Sequence, residues 1–276
     1  MRLLHAREKT WPALLTGTIT PHPHAISKLN DSSEREEQYL ETLRWMATGR
    51  TGIKKIFFCE NSGYDLVKFH PLYDLYAKHN RQLSLYSVPA PPVSNRFPGK
   101  GWAEGIMISW ALENCMIKED IKAFIKITGR YRVLNLKRIV TVIRRELRRT
   151  PSLKFVGYSF TTLPRLHIRS DFFWSDKDFY TTYLADAYTD VDDANGHYLE
   201  HAFAERLWRL KDRFDIGILS LSPLIRGISG WNAKRMLDTR QYLKEEVKQA
   251  LRPLPRMRKI KDLEITSFNR DKGDSL

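Results

Sequence analysis

Gly99-Lys100-Gly101-Trp102-Ala103-Glu104-Gly105 opens an apolar helical pattern, and Phe124-Ile125-Lys126-Ile127-Thr128-Gly129-Arg130-Tyr131 follows it. The second segment reads as a buried strand stopped by a polar turn. Lys126, Thr128, Arg130 and Tyr131 are therefore expected at or just past a strand's carboxyl end, where open α/β sheets bind their ligands. Two fixed cations, a hydroxyl and a glycine turn at such a place suit a phosphate or a diphosphate.

Upstream, residues 13–20 read as a first strand closed by Pro21 and Pro23, and Asp31-Ser32-Ser33 offers helix caps. Strands are expected over 53–59 and 83–88. Residues 66–79 read as a helix that Pro71 interrupts. Residues 103–116 read as a helix, 121–127 as a strand and 136–148 as a helix with a basic outer face, Asn135 capping it. Strand and helix thus alternate over the first half, the pattern of parallel strands joined by crossover helices. Downstream, strands are expected over 153–160, 166–173 and 214–221, and helices over 177–187, 198–210 and 233–251. Pro253 and Pro255 end the last helix, and Arg256 to Leu276 reads as a loose charged tail. The fold class is α/β: a single domain with a mostly parallel Rossmann-type sheet flanked by helices, over 1–231, plus a basic C-terminal helical extension over 232–276.

The chain has 276 residues, 42% hydrophobic and 28% charged, which suits a folded protein with a sizeable core. Its net charge of +14 calls for an anionic partner or for nothing more than a basic surface. Nucleic acid, an acidic membrane surface and a phosphorylated small molecule compete as partners. Cys59 and Cys115 lie in apolar runs and read as reduced core residues; two isolated cysteines cannot build a zinc site. The N-terminus lacks the apolar run of a signal peptide, and no window is long and apolar enough to span a bilayer. A cytoplasmic protein is expected, at most peripheral to the inner face of the plasma membrane, with the amphipathic Trp231 to Lys261 stretch as the contact.

The glycine-lysine-glycine loop, the Glu104-Gly105 pair opening an apolar helix and the strand ending Lys-Ile-Thr-Gly-Arg-Tyr together resemble a group of bacterial glycosyltransferases. Those proteins act in capsule, O-antigen and lipopolysaccharide assembly. Ser170-Asp171-Phe172-Phe173-Trp174, Tyr198-Leu199-Glu200-His201-Ala202-Phe203 and Gly227-Ile228-Ser229-Gly230 are similar to the same group. The likeness runs over about residues 13 to 231. It implies a GT-A-like enzyme that binds a nucleotide-sugar at the strand ends of one mixed sheet and passes the sugar to a glycan or lipid-linked glycan acceptor. GT-A enzymes usually place an Asp-x-Asp pair after the central strand to hold a divalent metal. Here that place reads Thr128-Gly129-Arg130. The implied chemistry is metal-independent, with Lys126 and Arg130 neutralising the leaving phosphate. The nucleotide-sugar is then a substrate, and no cofactor is expected.

Lys100, Gly101 and Glu104 belong to a glycine-rich helix N-terminus whose amides suit an anion, although the spacing matches neither a Walker A loop nor a dinucleotide fingerprint. Asn61, in the Glu60-Asn61-Ser62-Gly63 turn, is placed to bracket a base or ribose. An inverting transfer also needs a base for the acceptor hydroxyl. Asp171, Glu200 and Glu104 are the candidates. Asp171 sits among aromatics that would raise its pKa, and Glu200 lies on an otherwise apolar helix face. Asp176-Lys177-Asp178 and Asp190-Val191-Asp192-Asp193 read as caps or solvated loops rather than a metal pair. The alternatives are a basic nucleic-acid-binding protein, for which no helix-turn-helix or aromatic RNA-binding signature exists, and another nucleotide-dependent transferase.

Overall fold

The protein is described here from a computed structural model over residues 11–23, 28–89, 98–228, 244 and 256–263. The described residues form ten strands: β1 (Ala13–Gly17), β2 (Lys55–Glu60), β3 (Gln82–Ser87), β4 (Ala123–Thr128), β5 (Arg132–Val133), β6 (Leu153–Gly157), β7 (Phe172–Asp176), β8 (Asp215–Ile218), β9 (Ile225–Arg226) and β10 (Arg258–Lys259). Eight of them form one sheet in the order β10-β8-β6-β7-β4-β1-β2-β3, and β5 pairs with β9 in a separate ribbon. The run β3-β2-β1-β4 is parallel throughout. β7 runs antiparallel to both its neighbours, β4 and β6, and β8 is parallel to β6. The architecture is α/β with a mostly parallel sheet. From β1 the chain builds outward to β2 and β3, then crosses back to lay β4 on the other side of β1. Open α/β sheets bind their ligands at such a reversal, here the carboxyl ends of β1 and β4.

The helices cover both faces, as a parallel sheet requires. α1 (Ser32–Thr48), α2 (Leu72–Lys78) and α4 (Leu136–Arg149) bury Leu43, Met46, Tyr76, Ile139 and Ile143 against one face, while α3 (Lys100–Ala111), α5 (Lys177–Tyr183) and α6 (Leu199–Leu210) bury Ile108, Tyr180, Phe203 and Leu207 against the other. The strands send alternate residues to the two cores. Ala123, Ile125 and Ile127 of β4 enter the first core and Phe124 the second. Lys126 shares the face of Phe124, so the pleat aims a lysine at α3.

Local signals explain most element ends. Asp31 caps α1 by accepting from the Glu34 amide, and Pro71 separates a 3-10 turn, Leu66–Phe69, from α2. Asp176 caps α5 through the Phe179 amide, the role expected of it. Asn135 behaves otherwise: its side chain leaves the helix end uncapped and instead donates to Ser222 O and accepts from the Leu224 amide, stitching a distant loop to α4. α3 starts at Lys100 rather than 103 and runs into a π-turn, Leu112–Met116.

Two segments depart from expectation. The strand expected over 166–173 is β7, shifted to Phe172–Asp176. The backbone of the preceding residues bonds elsewhere: the Ile168 amide donates to Glu200 O and Ser170 O receives the Lys126 ammonium. The tail expected to be loose supplies β10, antiparallel to β8, and buries Ile260. The helix expected over 233–251 lies outside the described residues, Lys244 excepted.

Phe173 sits at the centre of the second core. It is fully buried, with ring centroids 5.3 Å from Phe155, 5.8 Å from Tyr180, 5.9 Å from Phe203 and 6.0 Å from Phe124. Phe173→Ala should cost about 3–5 kcal/mol in urea unfolding followed by circular dichroism; a loss below about 1 kcal/mol would show that this cluster does not hold the layers together.

Candidate functional site

At the carboxyl end of the parallel strands, Lys126 has no exposed surface. Its ammonium donates to Glu104 Oε1 at 2.6 Å, Ser170 O at 2.8 Å and Thr128 Oγ1 at 3.1 Å. An ammonium has three protons, so these three partners saturate it. Glu104 comes from the first turns of α3 and keeps 21% of its side chain exposed. Its Oε1 also accepts from Thr16 Oγ1, 2.8 Å away at the end of β1. Ser170 passes the network on, since its hydroxyl donates to Glu200 Oε1 at 2.7 Å. Burial pushes the Glu200 carboxyl above its ordinary value, offset by the Ser170 bond and reinforced by the charges of Glu104 and Asp171.

Asp171 stands just before β7, whose antiparallel course brings its first residues beside the end of β4. Tyr158 Oη donates to Asp171 Oδ1 at 2.5 Å, Arg169 pairs with Oδ2, and the residue is 7% exposed. Its backbone carbonyl accepts from the Thr128 amide.

Cations gather on the other side of the same strand ends. Arg130, two residues beyond β4, is 7% exposed; one terminal nitrogen donates to Ile228 O at 2.8 Å and approaches Gln38 Oε1 at 3.4 Å, while its Nε is buried without a hydrogen-bond partner among the described residues. Arg35 enters from α1, 6% exposed, with bonds to Thr18 O and Leu29 O and no carboxylate in contact among the described residues. Burial lowers the Arg35 pKa, and the Arg130 charge adds to the shift. Lys100 opens α3; burial and the Arg35 charge, with Arg130 adding, pull it down to about 8 against the opposing effect of Asp193. Like charges gathered so closely suit anionic charge: Arg130 lowers Arg35, and both lower Lys100. Tyr131 is buried beside Arg130, its ring 5.9 Å from the guanidinium.

The glycine loop works differently from a phosphate cradle. The Lys100 amide donates at 2.9 Å to Asp193 Oδ2, so the chain's own carboxylate meets the α3 N-terminus. Gly99 has φ 142°, and a Cβ there would fall 2.0 Å from Asp193 Cγ. A Cβ on Gly101 would fall 2.8 Å from that of Leu199. Close packing against the 193–199 stretch accounts for both glycines. Asn61 is likewise engaged: Oδ1 accepts from Thr18 Oγ1 at 2.7 Å and Nδ2 donates to Ala103 O at 3.3 Å, joining β1, β2 and α3. Glu60, fully buried, receives the amides of Ile19, Ser62 and Tyr64 and shapes the loop around the cations.

The structure therefore brings Lys126, Thr128, Glu104, Asp171 and Glu200 into one network and sets Arg130 and Lys100 beside it. Sequence reading missed Arg35, Thr16, Ser170 and Asp193. Ser170 and Asp193 lay in quoted motifs; Arg35 looks like any charged residue in a helix's first turn. Among the described residues no three His, Cys, Asp or Glu side chains are grouped so as to hold a metal, and no helix is long and apolar enough to cross a membrane.

No protein-family model and no curated protein matches the sequence. Solved structures do. A protein described as a nucleotide-diphospho-sugar transferase, from Desulfovibrio desulfuricans, is similar at 7% identity and a TM-score of 0.43, over 75% of this chain and 78% of that one. A cytidylyltransferase from Leptospira borgpetersenii is similar at 11% identity and a TM-score of 0.41, over 89% of each chain. HddC from Yersinia pseudotuberculosis is similar at 12% identity and a TM-score of 0.33, over 63% of this chain and 80% of that one.

Because the folded protein keeps a proton on Glu200 to a higher pH than the unfolded chain does, wild-type stability relative to Glu200→Gln should be greatest below the ordinary glutamate value and fall as pH rises through the raised one. Urea unfolding of both proteins from about pH 4 to about pH 8 measures that difference. A constant difference would show that burial does not raise the Glu200 pKa.

Proposed function

We propose that the chain is a metal-independent glycosyltransferase that moves a sugar from a nucleotide-sugar to a hydroxyl of a bacterial surface glycan. The observation that carries the reading is Arg130: a nearly buried guanidinium whose Nε has no partner among the described residues, repelled by Arg35 and Lys100, at the strand ends where the sheet reverses. Such a group gains most from a doubly charged anion such as a diphosphate. Arg130, Arg35 and Lys100 would hold the diphosphate and stabilise the charge that develops on it as the glycosidic bond breaks. Glu200, with its raised pKa, would take the acceptor proton, and Asp171, fixed by Tyr158 and Arg169, would orient the sugar. The surface-glycan acceptor, lipid-linked or free, rests on the sequence resemblance of residues 13 to 231 alone.

Thermal unfolding with UDP, GDP, CMP, CTP and ATP, with and without Mn²⁺, tests the ligand class. Protection by UDP, GDP or CMP without metal is expected. Protection by CTP with release of pyrophosphate would favour nucleotidyl transfer instead, and protection by ATP alone would defeat the sugar reading. Arg130→Met should weaken the best nucleoside diphosphate by about tenfold to a hundredfold in calorimetry; unchanged affinity would remove Arg130 from the site. Since Lys100 loses its proton near pH 8, nucleotide affinity should fall as pH rises through about 8 and Lys100→Met should flatten that dependence. A wild-type profile flat through that range would take Lys100 out of the diphosphate site.

A further inference from the structure

Lys126 was expected to meet the phosphate, but its surroundings leave it nothing to meet it with. The side chain has no exposed surface, and its three protons are spent on Glu104, Ser170 and Thr128. Two of those partners are oxygens of the sheet's own end and of the turn before β7. The third, Glu104, reaches outward, one-fifth exposed, from the helix above. Lys126 and Thr16 both bind its Oε1, at 2.6 and 2.8 Å. Oε2 has no hydrogen-bond partner among the described residues. A carboxylate gripped by one oxygen from a rigid sheet presents the other in a fixed direction. An ionised oxygen of that kind accepts hydroxyl protons and repels phosphate, so its natural ligand is the sugar rather than the diphosphate.

Resting on the nucleotide-sugar reading above, we propose that Glu104 is the residue that binds a hydroxyl of the transferred sugar and that Lys126 is a positioning residue which aims it, with no contact to phosphate. The pair is a buried cation under a half-open carboxylate, and its two members act as one unit. Removing either partner should therefore produce the same defect, and removing both should add little to it.

The experiment compares a bare nucleotide with its sugar conjugate: calorimetric titration with UDP and UDP-glucose, or with GDP and GDP-mannose where wild type prefers guanine. In Lys126→Met, affinity for the bare diphosphate should match wild type while affinity for the conjugate falls about tenfold or more. Glu104→Gln should do the same. Because a lone Glu104 or Lys126 is costly to bury, the double variant K126M/E104Q, which removes both charges, is measured alongside. It should bind bare UDP or GDP normally and the conjugate no worse than either single variant. Loss of the bare nucleotide in Lys126→Met or in the double variant would place Lys126 on the phosphate and overturn the inference, as would independent, multiplicative losses of the conjugate. Wild type that binds none of these four ligands and is not protected by CMP either would remove the functional reading itself, and this inference with it.

Discussion

A lysine without exposed surface in the middle of a sheet is the constraint around which this protein is arranged. Placing an ammonium inside costs several kcal/mol unless charge and hydrogen bonds replace the water it loses. Here the replacement comes from four parts of the chain: Glu104 on α3, Thr128 on its own strand, Ser170 ahead of β7, and Thr16 on β1 through Glu104. Those parts are 16 to 170 in sequence and meet within hydrogen-bond distance of one another. The pleat dictates the meeting. With Ile125 and Ile127 committed to one core, residue 126 must face the other, and α3 crosses there.

The same end of the sheet separates charge by sign. Carboxylates Glu104, Asp171 and Glu200 lie on the β4–β7 side, Glu104 and Glu200 linked through Lys126 and Ser170, and Asp171 held by Tyr158 and Arg169. Arg35, Arg130 and Lys100 lie toward α1 and the start of α3. Neither group neutralises the other fully: burial raises Glu200 and lowers Lys100, shifts that both move the ionised form toward the neutral one. A substrate with an anionic half and a hydroxyl-rich half complements such a divided surface better than a simple anion does.

Much of the architecture was legible because it follows from periodicity. Alternating strand and helix signals gave the parallel run β3-β2-β1-β4, and the polar turn after Ile127 marked the carboxyl end of β4. Asp31 and Asp176 cap the helices they precede, as their residue type suggests. What the chain hides is long-range. Asn135 occupies a capping position yet spends its amide on Ser222 and Leu224, 87 and 89 residues away. Nothing local in Gly99-Lys100-Gly101 reveals that Asp193 and Leu199 press on it. A glycine demanded by a neighbouring side chain and a glycine demanded by a phosphate look alike in one sequence. Lys126 was expected at the phosphate, and only the count of its proton acceptors distinguishes a buried strut from an exposed ligand.

The order in which the sheet is filled carries one more consequence. Neighbours β6, β8 and β10 are drawn from residues 153–157, 215–218 and 258–259. Their sequence separation makes ring closure slow relative to the local α1–β2–α2–β3 half. During synthesis the amino-terminal half can collapse first, while β8 waits for a partner on its outer edge until residue 259 has left the ribosome. An unpaired strand edge held open for that interval is exposed to pairing with the edge of another chain.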